Sequence, residues 1–152
     1  MASSSGGDFL SKKSRLMRDQ SATLRVFDAL VVDDEARDSD RMLATLRVMY
    51  GYDVTVRRAA TITAALAHIE TKHPDLILLD DILKPSDNGE TTLPRIRQAG
   101  FTGPVIVISG QVTRTRRPIL IAAGATDVIH KDDVDSVRLS ESLKLIFAAK
   151  DD

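Results

Sequence analysis

Five short apolar segments alternate with longer amphipathic segments along most of this chain, and this alternation restricts the fold more than any other feature. The apolar segments are rich in β-branched residues and are apolar throughout, which is typical of strands covered on both faces of a parallel sheet. They are residues 26–32, 53–57, 75–80, 104–109 and 125–130. The order predicts five strand–helix units, and right-handed crossovers then give a doubly wound sheet.

The segments between the strands repeat their apolar residues at helical spacing. The predicted helices are 35–50, 61–72, 88–99, 115–123 and 134–149. We expect Asp132 and Asp133 to cap the last helix. The residues expected on its inner face are Val137, Leu143, Ile146 and Phe147. For five such units the common strand order is 2-1-3-4-5, so the predicted fold class is α/β and flavodoxin-like.

The composition fits one domain with an aliphatic core. The 152 residues are enough to bury such a core, and with only 4% aromatic residues it must consist of Leu, Ile, Val and Ala. The absence of cysteine excludes disulfides, thiolate metal sites and cysteine nucleophiles. A net charge of −1 and the lack of a long apolar run favour neither nucleic acid nor a membrane as a direct partner. We therefore expect a cytoplasmic protein.

Residues 1–24 are expected to form an N-terminal arm, followed by a domain over 25–152. The arm begins with small residues and continues with basic and apolar residues that could form a short amphipathic helix. Chain termini are usually poorly ordered, so a flexible or partly helical tail is one interpretation. The other is a docking or dimerising arm, which would give a homodimer.

Acidic, hydroxyl and lysine residues stand at the carboxyl ends of four predicted strands. They are Asp33 and Asp34, Asp80 and Asp81, Ser109 and Gly110, and Lys131. Strands one and three are neighbours in the predicted sheet, so their carboxylates lie close together. Clustered carboxylates repel one another, and a hard, oxygen-rich site with open positions suits Mg²⁺. Each residue alone has a simpler role, such as helix capping, but the set at one sheet edge favours a functional site.

This set of groups fits phosphoryl transfer to a carboxylate. Such a reaction needs an ionised nucleophile in line with the phosphorus atom. The charge on the equatorial oxygens must be neutralised, here by a metal on one side and Lys131 on the other. The Ser109 hydroxyl can donate a hydrogen bond to a third oxygen.

Four motifs in this order resemble the receiver domain of bacterial two-component response regulators. They are Val-Val-Asp-Asp-Glu at 31–35, Pro-Asp-Leu-Ile-Leu-Leu-Asp at 74–80, Ile-Val-Ile-Ser-Gly at 106–110, and Gly-Ala with a lysine at 124–131. The likeness covers about 27–149. It implies that Asp34 binds Mg²⁺ directly and Asp33 through water, that Asp80 is the phosphoacceptor, and that Lys131 pairs with the acceptor or its phosphate.

The same resemblance assigns further roles around the acceptor. The backbone carbonyl of Ile82 would complete the metal site together with Asp80. Ser109, followed by Gly110, would be the switch hydroxyl. Ile82 and Gln111 would occupy positions that tune dephosphorylation.

The sequence departs from the family pattern at the acceptor and on strand five. Pro85 and Gly89 have the family's downstream spacing from Asp81, so Asp81 is the alternative acceptor. Asp80 is favoured because it directly ends the apolar run. The aromatic residue that usually precedes the lysine is missing, since residues 128–130 are Val-Ile-His.

Two further features surround these motifs. The lysine is followed by Asp132 where the family usually has proline, so we expect a trans peptide bond there. Three arginines, Arg114, Arg116 and Arg117, follow strand four. They could form a solvated surface or a face that meets an acidic partner.

We expect a single-domain response regulator that accepts a phosphoryl group from a histidine kinase or a phosphotransfer protein. It would not be an enzyme beyond catalysing its own phosphotransfer and dephosphorylation. It would signal to an unidentified downstream protein by contact, or act as a phosphate sink. One alternative is a receiver-like binding module that works without phosphorylation. A phosphohydrolase is a weaker alternative, because Ile82 or Leu83 stands where a second carboxylate is needed.

Overall fold

In the computed structural model, residues 26–151 are described, and the predicted N-terminal arm over 1–24 lies outside them. Within the described range, five parallel strands form one sheet in the order β2-β1-β3-β4-β5, which confirms the predicted order. The strands are β1 (Asp28–Val32), β2 (Thr55–Ala59), β3 (Leu76–Asp80), β4 (Val105–Ser109) and β5 (Asp127–His130).

The helices lie on both faces of this sheet. They are α1 (Ala36–Tyr50), α2 (Ile62–Thr71), α3 (Gly89–Gln98), α4 (Arg116–Ala123) and α5 (Ser136–Asp151), and a 3₁₀ turn at Lys131–Asp133 precedes α5. One core cluster joins the sheet to α2, α3 and α4. The other joins it to α1 and α5. This covering of both faces explains why the strands carry no polar alternation.

Successive strand residues enter opposite cores. Leu30 and Ile77 pack under α2–α4, whereas Val31 and Leu78 pack under α1 and α5. Strands β1, β3 and β4 are buried along their whole length. Three of the four strands that carry candidate site residues at their ends are therefore held in the buried centre of the domain.

The predicted position of β2 was wrong by two residues, since the strand covers 55–59 and not 53–57. The cause is its place at the edge of the sheet, where half-exposed polar residues are tolerated. Arg57 lies in this strand and donates from Nε to Asp28 Oδ1 at 3.0 Å. The apolar pattern of this segment therefore predicts an end of the strand that is two residues too early.

The start and the inner face of α5 also differ from the prediction. Asp132 and Asp133 lie in the 3₁₀ turn, and Asp135 accepts a hydrogen bond from the Arg138 amide at 2.8 Å. Val137 is 66% exposed, whereas Leu139 is fully buried. Because the helix begins later, its inner face follows the four-residue spacing from Leu139 to residues 143 and 147. The peptide bond after Lys131 is trans, as expected.

Two leucines of α5 test which face of the helix is buried. We expect Leu139→Ala to lower the free energy of unfolding by about 3 kcal/mol, because it leaves a cavity in the core under α1 and α5. Leu145 is 73% exposed, so the matched Leu145→Ala change should cost less than about 0.5 kcal/mol. Urea denaturation measures both, and equal losses would contradict this orientation of the helix.

Candidate functional site

Three carboxylates meet where β1 and β3 end. Val32 lies opposite Leu79 in the ladder, so Asp33 and Asp34 follow β1 beside Asp80, the last residue of β3. One carboxylate oxygen from each of these aspartates lies within 4.8 Å of the others. We call Asp33, Asp34 and Asp80 the acidic cluster. The strand order brings these three predicted residues together, as the sequence indicated.

The acidic cluster is buried without enough hydrogen-bond donors. Asp33 and Asp80 are only 5% and 3% exposed. Within the described residues, Asp33 Oδ2 and Asp80 Oδ1 are buried and accept no hydrogen bond. Such oxygens are costly to bury unless a cation compensates them. The donor set, all oxygen and strongly anionic, fits a hard divalent cation such as Mg²⁺.

Burial and mutual repulsion raise the pKa values of two aspartates in the acidic cluster. Burial, followed by the charge of Asp33, raises the pKa of Asp80 to about 7, although Lys131 acts in the opposite direction. Burial also raises the pKa of Asp33, and the charge of Asp38 adds to this effect. A bound cation would favour the ionised, nucleophilic form of Asp80.

Asp33 and Asp34 also contact the neighbouring backbone. Asp33 Oδ1 accepts from the Glu35 amide at 2.9 Å, which forms a turn just before α1 but does not cap the helix, whose N-cap residue is Glu35. Asp34 Oδ2 accepts from the Lys84 amide at 3.3 Å, and this bond joins the first site loop to the loop after β3. The simpler role of helix capping is therefore not seen for Asp33: one of its oxygens closes the turn before α1, and the other accepts no hydrogen bond within the described residues.

Lys131 lies between two carboxylates. Its Nζ is 3.5 Å from Asp80 Oδ1 and 3.3 Å from Asp38 Oδ2. Burial alone would lower the pKa of Lys131, but the charges of Asp80 and Asp38 raise it. Sequence reasoning missed Asp38. The available signal was its position in the first turn of the helix that directly follows β1.

The structure does not bring Ser109 to Asp80. The Ser109 hydroxyl donates to Asp81 Oδ2 at 2.9 Å, and Asp81 is 2% exposed. The Gly89 amide donates to Asp81 Oδ1 at 2.9 Å, and Arg116 Nε donates to Oδ2 at 3.0 Å. Burial would raise the pKa of Asp81, but donors led by Arg116 hold it below its usual range.

Arg116 therefore fits neither of the two interpretations offered for the arginines. Its side chain is 16% exposed and pairs with Asp81 and with Glu90 of α3. Arg117 pairs with Asp127 at 2.8 Å. No local sequence pattern predicts the contact between Arg116 and Asp81, because 35 residues separate the two and only the tertiary structure joins them.

The remaining candidate residues surround the site without contributing charge. The Ile82 side chain is 56% exposed, and its amide donates to the Asp80 carboxylate. The Gln111 amide donates to Ser109 Oγ at 3.1 Å, while its side chain is exposed. Gly110 is exposed, and an added Cβ would meet no atom within 4 Å. Their roles in metal binding, phosphate binding and tuning stay predictions.

The doubly wound sheet and its acidic edge define a class of flavodoxin-like α/β domains that carry an aspartate-rich site. Residues 29–144 match the family model of the response regulator receiver domain, and the chain belongs to this family. It is therefore the receiver domain of a two-component response regulator. Receiver domains generally are non-enzymatic phosphoacceptors that bind Mg²⁺ through an acidic pocket, and membership implies interaction with a histidine kinase or phosphotransfer partner.

Individual relatives agree with this family. The chain is 33% identical over 111 residues to the alkaline phosphatase synthesis transcriptional regulatory protein SphR of Synechococcus elongatus, covering 67% of this chain and 42% of that protein. The chain thus spans less than half of that relative's length. A putative response regulator from Chloroflexus aurantiacus is 30% identical with a TM-score of 0.69, covering 81% of this chain and 98% of that one.

A second solved structure shows the shared fold at lower identity. The BeF3-activated N-terminal receiver domain of Klebsiella pneumoniae RstA is 24% identical, with a TM-score of 0.67, and the match covers 79% of this chain and 97% of that one. Among the described residues, no helix is both long enough and apolar enough to cross a membrane.

The raised pKa of Asp80 predicts a pH-dependent stability. The folded-state pKa of about 7 lies above the ordinary value of 3.8, so Asp80 favours the folded state below pH 4 and loses this contribution as the pH rises through 7. In metal-free protein, Asp80→Asn should therefore raise the free energy of unfolding at pH 8 by about 2 kcal/mol. The gain should vanish near pH 4 in urea denaturation.

The matched control is Asp53→Asn in the exposed turn between α1 and β2, which should leave stability unchanged at both pH values. A stabilisation by Asp80→Asn that is equal at pH 4 and pH 8 would contradict the electrostatic origin of the effect.

Proposed function

We propose that this receiver domain accepts a phosphoryl group on Asp80, in the presence of Mg²⁺, from a phosphohistidine of a histidine kinase or phosphotransfer protein. The observation that carries the proposal is the contrast between the two adjacent aspartates. Asp80 belongs to the acidic cluster, and its Oδ1 accepts no hydrogen bond within the described residues, although Lys131 Nζ lies 3.5 Å away. Both oxygens of Asp81 are occupied by donors. A nucleophile needs a free oxygen, so Asp80 is the better acceptor.

The residues that would hold the metal are Asp33, Asp34 and Asp80, with the Ile82 carbonyl. When bound, Mg²⁺ supplies positive charge beside the phosphoryl oxygens. Lys131 is placed to neutralise a further phosphoryl oxygen, since its Nζ already lies 3.5 Å from Asp80 Oδ1. Asp80 is buried at the edge of the sheet, so the side of its carboxylate that faces the core is shielded from water.

Output would come through protein contact, or the domain would drain phosphoryl groups from its donor. We propose that this reaction takes place in the cytoplasm. A second candidate function is a receiver-like binding module that works without phosphorylation. Two observations favour it: Ser109 is engaged by Asp81, and the buried residue Val128 stands where an aromatic residue is usual.

Phosphorylation by acetyl phosphate with Mg²⁺ tests the main proposal. Intact-protein mass spectrometry should show the addition of one phosphoryl group to the wild-type chain and none to Asp80→Asn. Asp81→Asn is the matched control, and it should still be modified because its carboxylate is not the nucleophile. Borohydride trapping and peptide mapping would locate the modified residue.

Three outcomes separate the candidates. Modification of the Asp80→Asn protein together with loss of modification in Asp81→Asn would assign the acceptor to Asp81. Absence of any acyl phosphate on the wild-type chain would refute the proposal. Unchanged partner affinity in Asp80→Asn would favour the phosphorylation-independent module.

Magnesium binding can be measured without a phosphoryl donor. Because Asp34 contributes a carboxylate to the acidic cluster, we expect Asp34→Asn to weaken Mg²⁺ binding by about tenfold in isothermal titration calorimetry. Asp53→Asn, in an exposed turn away from the cluster, should bind Mg²⁺ like the wild type. Equal affinities for all three proteins would exclude Asp34 as a metal ligand.

A further inference from the structure

A second buried carboxylate, Asp81, holds the hydroxyl that the phosphoryl group would need. We propose that Asp81 is the resting-state partner of Ser109, that it competes with a phosphoryl group on Asp80 for this hydroxyl, and that Arg116 links the competition to the start of α4. This inference rests on the proposed function. It assigns to Asp81 and Arg116 a positioning role in the switch.

The geometry of β3 separates the two aspartates. Successive residues of a strand point to opposite sides, so Asp80 and Asp81 face different neighbours. The ladder continues past the end of β3, because the Asp81 amide donates to the Ile108 carbonyl at 2.9 Å. Asp81 is therefore fixed next to Ser109, which directly follows Ile108 at the end of β4.

A serine hydroxyl has one proton, so it can donate one full hydrogen bond at a time. Ser109 Oγ lies 2.9 Å from Asp81 Oδ2 and 3.2 Å from the Gln111 carbonyl oxygen. The contact to Asp81 is shorter and has a charged acceptor, which makes it the stronger of the two. Donation to a phosphoryl oxygen on Asp80 must therefore withdraw the proton from Asp81.

Loss of the Ser109 hydrogen bond would change the contacts that Asp81 makes at the first residues of two helices. Asp81 also accepts from Arg116, the first residue of α4, and from Gly89, the first residue of α3. Arg116 additionally pairs with Glu90 of α3. When Ser109 leaves Oδ2, Arg116 Nε stays as the donor to that oxygen, and its position relative to Asp81 changes. A polar route thus joins the end of β4 to α4.

This route does not need the Tyr or Phe that β5 lacks. Val128 of β5 is 1% exposed and has no polar atom in its side chain to answer a movement of Ser109. By contrast, Asp81 and Arg116 are both charged. Asp81 contacts Ser109 itself, and the Arg116 amide donates to Thr113 in the loop that follows Ser109. A change in the Ser109 hydrogen bond is therefore passed to α4 by electrostatics.

A double-mutant cycle tests the competition with beryllofluoride as the phosphoryl mimic and Mg²⁺ present. The four full-length proteins are wild type, Asp81→Asn, Ser109→Ala and the double variant. With Ser109 present, Asp81→Asn should tighten beryllofluoride binding by about tenfold, since it replaces the charged competing acceptor by a weaker neutral one and removes a negative charge. In the Ser109→Ala background only the charge effect remains, so the gain should be at least about threefold smaller.

A second measurement avoids any change at Asp81. In ¹⁵N-labelled wild type, the Arg116 Nε–H signal, assigned by its loss in Arg116→Lys, should shift when beryllofluoride binds. The shift should be much smaller in Ser109→Ala, which has no hydroxyl to withdraw.

The outcomes distinguish the partner exchange, in which Ser109 leaves Asp81 for the phosphoryl group, from the proposed function of Asp80 as phosphoacceptor. If the wild type binds beryllofluoride but the cycle is additive and the Arg116 signal does not move, the partner exchange is refuted and the proposed function stands. If the wild type does not bind beryllofluoride with Mg²⁺, the proposed function fails and the partner exchange fails with it.

Discussion

The mutual repulsion of carboxylates buried at one sheet edge is the constraint on which the rest of this structure depends. Asp33 and Asp80 are almost fully buried, and each has an oxygen that accepts no hydrogen bond from the described residues. Such an arrangement is unfavourable by itself. The apolar cores on both faces of the sheet hold β1 and β3 side by side and so impose it. The domain therefore keeps a site that a cation would stabilise.

This geometry shifts the pKa values of two neighbouring aspartates, Asp80 and Asp81, in opposite directions. Burial and Asp33 raise the pKa of Asp80, whereas donors led by Arg116 keep the pKa of Asp81 below its usual range. In the sequence, the apolar run upstream favours Asp80 as the acceptor, whereas the downstream spacing fits Asp81. Strand alternation gives the two aspartates different surroundings, and Asp80 is the one that lies 3.5 Å from Lys131 Nζ.

The sequence was informative wherever a signal was local or periodic. Fully apolar runs located the central strands, and the strand order then placed Asp33, Asp34, Asp80 and Lys131 at one edge. The errors fell where tertiary contacts overrule local pattern. The edge strand β2 accepts Arg57, because it needs only one buried side, and the 3₁₀ turn delays the start of α5. The role of Arg116 could not be predicted, since it depends on Asp81, which lies 35 residues away in the sequence.

The charge balance of the site explains why the Ser109 hydroxyl matters. The acidic cluster and Asp38 surround a single ammonium group, that of Lys131. A divalent cation compensates part of this excess, but a phosphoryl group carries about −2 at neutral pH and restores it. The phosphorylated site must therefore recruit another donor. Ser109 ends the strand next to β3, and its proton is now given to Asp81. The same shortage of positive charge that creates the metal site thus also supplies the force that would draw Ser109 from one aspartate to the other.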